Sequence, residues 1–90
     1  MMIKLSKHAR EQIKVRKITL EEIINCLKDP DDVLYDVKEN TFVSIKRLNG
    51  KILVTIYTFE EENPKVVTVF KTDKLSMVKN RIKPGRWVRI

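Results

Sequence analysis

The chain has 90 residues, 42% of them hydrophobic, with only two glycines and a formal net charge of +7 at pH 7. That length holds one domain with a small core and leaves no room for a second domain or a large cofactor fold, and the absence of Gly/Ser/Pro-rich tracts excludes a disordered chain. A single cysteine, Cys26, and a single histidine, His8, exclude an intrachain disulfide and cannot by themselves close a zinc site, so neither metal nor cofactor is expected.

No apolar run approaches the roughly 18 residues of a membrane span, and no apolar segment of signal-peptide type follows the N-terminal charges. A cytoplasmic protein without membrane contact is the expectation. The charge bears on partners: it fits a polyanion, and equally the surface charge networks of heat-stable proteins.

In chain order, Met2 to Leu5 reads as a short strand, after which Ser6 offers an N-cap and residues 7–17 contain no helix breaker. Thr19 with Glu22 three positions later matches a capping box and starts a second helix. Its Leu20, Ile23, Ile24 and Leu27 fall on one stripe, with Glu21, Asn25 and Lys28 on the other side, and Asp29-Pro30 ends it. An extended region follows from Asp32.

TFVSIKRL, Asn49-Gly50 and KILVTIYTF then read as a β-hairpin, with both turn positions expected at positive φ. The turn sets Leu48 opposite Lys51. Val43, Ile45, Arg47, Ile52, Val54 and Ile56 therefore share one face, expected to lie under the helices, while Phe42, Ser44, Lys46, Leu53, Thr55 and Tyr57 share the other. This second face mixes polar groups with aromatics, which fits a ligand surface or a solvated sheet face. Past the acidic loop Glu60–Pro64, KVVTVF is a third strong strand. Thr72 or Asp73 then caps a short helix with Leu75, Val78 and Ile82 as its stripe, and Pro84-Gly85 stops it before RWVRI, a final edge strand.

Positive charge collects in two places. Lys7, Arg10, Lys14 and Lys17 line up along the first helix, where like charges repel by a few tenths of a kcal/mol per pair. Phosphates of a nucleic acid would explain the arrangement; a solvated helix face would too. From Lys71 onward, Lys71, Lys74, Lys79, Arg81, Lys83, Arg86 and Arg89 stand against Asp73 alone, leaving the rest of the chain almost balanced. Trp87, between two arginines, offers a surface on which a base can stack; the alternatives are a packed edge-strand Trp or an acidic protein partner.

His8 is the first candidate for acid–base work because imidazole both gains and loses a proton near neutral pH. In metal-free RNA cleavage a base takes the 2′-OH proton, cations stabilise the phosphate in flight, and an acid protonates the leaving oxygen. The structural alternative has His8 packing at the helix–sheet boundary.

Ser6, His8, Ala9, Arg16, Ile18, Thr19, Glu21 and Glu22, the D-P near the end of the second helix and the later V-V-T-V-F together resemble a family of small domains of unknown function. That family is similar in element order to the RelE/ParE toxin superfamily and to BrnT-type toxins. The resemblance covers roughly residues 5–72 and often carries Gly where this chain has Lys17. It implies an α+β domain in which two N-terminal helices pack on an antiparallel sheet of three to four strands, RelE-like, with the basic segment 71–90 appended. It further implies an RNA-directed, toxin-like protein, a metal-independent endoribonuclease acting on mRNA, free or ribosome-bound. An acidic antitoxin would be its partner, and a homodimer its alternative assembly. The catalytic candidates are His8, Lys46 and Tyr57. The RNA-binding candidates are Lys7, Arg10, Lys14, Lys17, Lys71, Lys74, Arg81, Arg86, Trp87 and Arg89. The rival reading is a noncatalytic basic module that binds nucleic acid or an acidic protein through the same charges.

Overall fold

The computed structural model, which describes residues 2–90 apart from the side chain of Leu75, runs β1 (Lys4–Leu5), α1 (Lys7–Arg16), α2 (Leu20–Lys28), β2 (Asp32–Asp36), β3 (Thr41–Leu48), β4 (Lys51–Glu60), β5 (Asn63–Thr72), α3 (Leu75–Ile82) and β6 (Trp87–Arg89). Local chemistry places most of these boundaries. Ser6 Oγ accepts from the Ala9 N–H at 3.0 Å and starts α1. Thr19 and Glu22 complete the expected capping box, each accepting from the other's backbone N–H, and start α2. Val78 and Ile82 turn into the core from α3 as expected, while the side chain of Leu75 lies outside the described set.

Six strands form one sheet in the order β1-β5-β4-β3-β2-β6; β1 runs parallel to β5 and every other pair is antiparallel. The expected antiparallel sheet of three to four strands, and with it the RelE-like architecture, is therefore overturned. The count implied by the resemblance falls short because β1, of two residues, and β6, of three, join the two edges of the sheet, where the sequence itself indicates short strands at Met2 to Leu5 and in RWVRI, and because β1 runs parallel to its neighbour.

The hairpin register is as expected, from Leu48↔Lys51 to Phe42↔Tyr57. Its turn differs in detail, because Gly50 has a positive φ of 71° and Asn49 does not. The positive-φ pair occurs instead in the acidic segment, where Glu61 and Glu62, at 52° and 71°, close a two-residue turn between β4 and β5. A bulge follows: Ile56 pairs with Thr68 and Tyr57 with Val66, so Val67 is the extra residue.

The assignment of faces is reversed. α1 and α2 pack on the mixed face, where Ile23, Cys26, Leu53, Tyr57, Val66 and Val69 form one core cluster. The apolar face, with Val43, Ile45 and Val54, is covered by Val78 and Ile82 of α3 and by Trp87. Small side chains explain the choice. Ser44 and Thr55, which looked like a polar surface, are fully buried, and they let α2 approach until the Cys26 thiol stands 3.3 Å from the Ser44 carbonyl oxygen. Burial pushes that thiol up to about 11, so Cys26 acts as a small core residue.

Beyond Val66 the outer edge of β5 has no neighbouring strand, and α1 supplies the missing partners with side chains. Ser6 Oγ donates to the Val67 carbonyl at 3.1 Å, Gln12 Oε1 accepts from the Val69 N–H at 2.9 Å, and Arg16 Nη1 donates to the Val69 carbonyl at 2.9 Å. The helix thus blunts an edge that would otherwise template another strand.

Candidate nucleic-acid interface

The cations divide into two populations. Lys4 and Lys65 pair with Glu60, Lys46 with Asp29, Lys71 with Glu22, Arg86 with Asp36 and Arg89 with Asp32. Among the described residues no ion pair involves Lys7, Arg10, Lys14 or Lys17 along α1, or Lys74, Lys79, Arg81 or Lys83 on and around α3. All of these except the half-buried Arg81 are exposed. Of the C-terminal cations singled out in sequence, Lys71, Arg86 and Arg89 are thus neutralised within the protein, and most of the uncompensated charge sits on two helices, with Lys28, Lys38, Arg47 and Lys51 outside them.

Those helices border one feature. α1 lies on one face of β5 and α3 on the other, and the outer edge of β5 between them forms an open depression of about 540 Å³ lined by Gln12, Arg16, Lys51, Phe70, Lys71 and Met77, among others. Arg16 turns around this edge, with its guanidinium 6.0 Å from the centre of the Phe70 ring.

The three catalytic candidates are not brought into one open site. Lys46 Nζ donates to the Asp29 carbonyl at 2.8 Å and pairs with its carboxylate at 3.1 Å, capping the end of α2. The Asp29 contact raises the Lys46 pKa above its ordinary value, which makes it a weaker acid for a leaving group. Tyr57 is 8% exposed and its hydroxyl accepts from Ser44 Oγ at 3.2 Å beneath the helices. His8 stands exposed on α1, with Nε2 held at 2.8 Å by the Gln12 side-chain amide.

Trp87 also departs from its expected role. It is 2% exposed and its indole N–H donates to Asp36 Oδ2 at 2.9 Å, so it offers no stacking surface on the outside of the protein. Asp36 is the hub of this corner: its two oxygens accept from the N–H groups of Lys38, Glu39, Arg86 and Trp87. Burial pushes the carboxyl up, but those donors outweigh it and hold Asp36 below the ordinary carboxylate value.

Two residues that the sequence did not single out, Gln12 and Asp36, carry structure here, as does Arg16, singled out only as part of the family resemblance. His8, Gln12 and Arg16 recur every fourth residue, a polar stripe beside the lysine stripe, and that spacing was the available signal. Nothing local marks Asp36, whose partners Arg86 and Trp87 lie about fifty positions away.

Among the described residues no cluster of His, Cys, Asp and Glu is suited to a metal ion, and no helix is long and apolar enough to cross a membrane. Residues 5–71 match the model of a family described as a domain of unknown function, DUF4258. No curated protein and no solved structure matches the chain.

Proposed function

We propose, for this chain that belongs to the DUF4258 family, a noncatalytic function: binding RNA through the basic helices α1 and α3. The observation that carries the reading is the partition of charge. Nine of the thirteen lysines and arginines without an ion pair among the described residues lie on or beside these two helices, which border a single open edge; Lys28, Lys38, Arg47 and Lys51 are the other four. Self-repulsion of this kind is relieved by a polyanion, whose binding releases counterions.

Shape favours a flexible single strand over duplex DNA. Both helices lie against the sheet, so neither stands free to enter a major groove, whereas a single strand can follow the β5 edge and place phosphates on either side. The endoribonuclease reading needs an acid and a base converging on one phosphate. Lys46 and Tyr57 are committed within the fold, which leaves His8 without a second catalytic group beside it.

The test is fluorescence polarisation of a labelled single-stranded RNA at increasing KCl, with the wild type and with Lys7, Arg10, Lys14 and Lys17 changed to Glu. The expected result is a logarithmic affinity that falls linearly with log salt, by about 0.7 per phosphate contacted, and that is lost in the charge-reversed protein. Binding indifferent to salt, or retained after the reversal, overturns the proposal. Cleavage of the same RNA in EDTA that disappears in His8→Ala would restore the nuclease.

A further inference from the structure

On the α3 side of the sheet a more enclosed cavity of about 260 Å³ lies between α3, the strands and the segment leading into β6. Its floor is apolar, with Ile56, Phe70, Met77 and Trp87, and its polar lining includes Thr41, Thr68, Arg81 and Arg86. Three observations mark it as a site rather than a packing gap.

First, at about 260 Å³ the space beside Phe70, Met77 and Trp87 exceeds what well-fitted side chains leave between them, where few voids are larger than a water molecule. Second, the lining charges are mixed. Asp36 and Glu39 face Arg86 and Arg81; Arg86 is spent on Asp36 at 3.1 Å and on Glu39 at 3.8 Å, while Arg81 lies 5.9 Å from the Trp87 ring centre and makes no ion pair among the described residues. A balanced wall of donors and acceptors suits a neutral group with both kinds of edge better than it suits a bare anion. Third, Thr68, Phe70 and Met77 line both this cavity and the open depression along β5, so the two adjoin, and Arg16 and Lys51, neither in an ion pair among the described residues, lie along the outer part with Lys71.

An apolar slot with aromatic walls, the Glu39 carboxylate and a guanidinium free of ion pairs among the described residues fits a flat heterocycle that presents both donors and acceptors. The volume falls below the roughly 300 Å³ at which drug-sized pockets begin, which limits the occupant to about one ring system. We propose that this cavity receives one unstacked nucleobase, held between Phe70 and Met77 with Arg81 on its edge, while the attached phosphate lies outward among the cations of the β5 edge. The choice of a nucleotide as occupant rests on the RNA-binding reading. The same chemistry is offered by a free nucleoside monophosphate and by a nucleotide within a strand.

Trp87 is the chain's only tryptophan and lines the cavity, so its emission reports occupancy directly. The experiment titrates the full chain with the four ribonucleoside monophosphates, with a single-stranded hexanucleotide RNA, and with ribose 5-phosphate as an anion lacking a base. Expected is saturable quenching by the hexanucleotide, weaker quenching by at least one monophosphate, and none by ribose 5-phosphate. Arg81→Gln should weaken this binding about tenfold. Arg81 makes no ion pair among the described residues, so an unchanged thermal midpoint of the variant separates lost binding from lost folding.

Saturable quenching by a monophosphate without affinity for any RNA supports the cavity as a free-nucleotide site and overturns the RNA reading alone. Salt-sensitive RNA binding that leaves Trp87 emission unchanged overturns the cavity proposal and keeps the RNA reading. Quenching that persists undiminished in Arg81→Gln also overturns it.

Discussion

Gln12 holds His8 through its amide nitrogen at 2.8 Å because its amide oxygen is already taken by the Val69 N–H at 2.9 Å. The Val69 group can only donate, so the Gln12 oxygen must face it, the NH₂ end must face the imidazole, and His8 Nε2 is the acceptor. The histidine that invited a catalytic reading is therefore the outer end of a chain of hydrogen bonds whose inner end seals a strand edge.

Unequal costs follow for the two ends of that chain. Gln12→Ala strips the buried Val69 N–H of its partner and should lower unfolding free energy by about 1–3 kcal/mol, whereas His8→Ala, at an exposed position, should change it by less than about 0.5 kcal/mol. Urea denaturation of the two variants decides the matter. An equal or larger loss for His8→Ala would mean the imidazole holds more than it is seen to touch.

Asp36 sets a pH dependence at the corner between β2 and β6. Its carboxyl is held below the ordinary value of 3.8, so the stability it contributes is present above that value and lost as pH falls through its lower folded-state value. Asp36→Asn keeps the shape and removes the charge that four donors address, and should cost about 1.5–3 kcal/mol at neutral pH. The variant should lose less stability than the wild type on acidification below pH 4. Parallel acid titrations of the two, followed by Trp87 emission, would contradict this assignment if their slopes coincide.

Lys17 couples fold stability to charge. It ends α1 with φ 52° and ψ 47°, a left-handed conformation that glycine adopts without strain. Lys17→Gly should therefore stabilise the chain by about 0.5–1 kcal/mol, the left-handed penalty less the extra chain entropy of glycine, while weakening RNA binding. Lys46→Gln, which removes a cation already bound to Asp29, should leave the salt dependence of RNA binding unchanged. Equal effects of the two substitutions on RNA binding would show that the partition between paired and unpaired cations has no bearing on affinity.

The Glu61–Glu62 turn stores strain of the same kind, since both residues sit at positive φ with like charges adjacent. Replacing the pair by Asn-Gly, the dipeptide suited to two left-handed positions, should raise stability by about 1–2 kcal/mol without altering RNA binding. Thermal unfolding of the double variant measures it; a lowered midpoint would mean that these carboxylates make contacts that outweigh their backbone strain.

Much of the fold was legible because it follows from short-range rules. The Ser6 cap, the Thr19/Glu22 box and the register of the long hairpin each depend on residues a few positions apart, and each appears where the sequence indicates. Far less of the candidate site was legible. Lys46 and Tyr57 occupy the expected face of the hairpin, but that face lies under α1 and α2; Trp87 occupies the expected strand, but inside the core.

What the sequence by itself determined is therefore periodicity: which residues share a side, where helices start, and where charge is concentrated along the chain. Only the tertiary structure decided which side each helix covers, because both faces of this sheet carry enough apolar surface to be buried and alternation carries no label for inside. It alone also decided which cations are free, since a carboxylate fifty residues away, as Asp36 is from Arg86 or Asp32 from Arg89, neutralises a charge that the linear sequence counts as available.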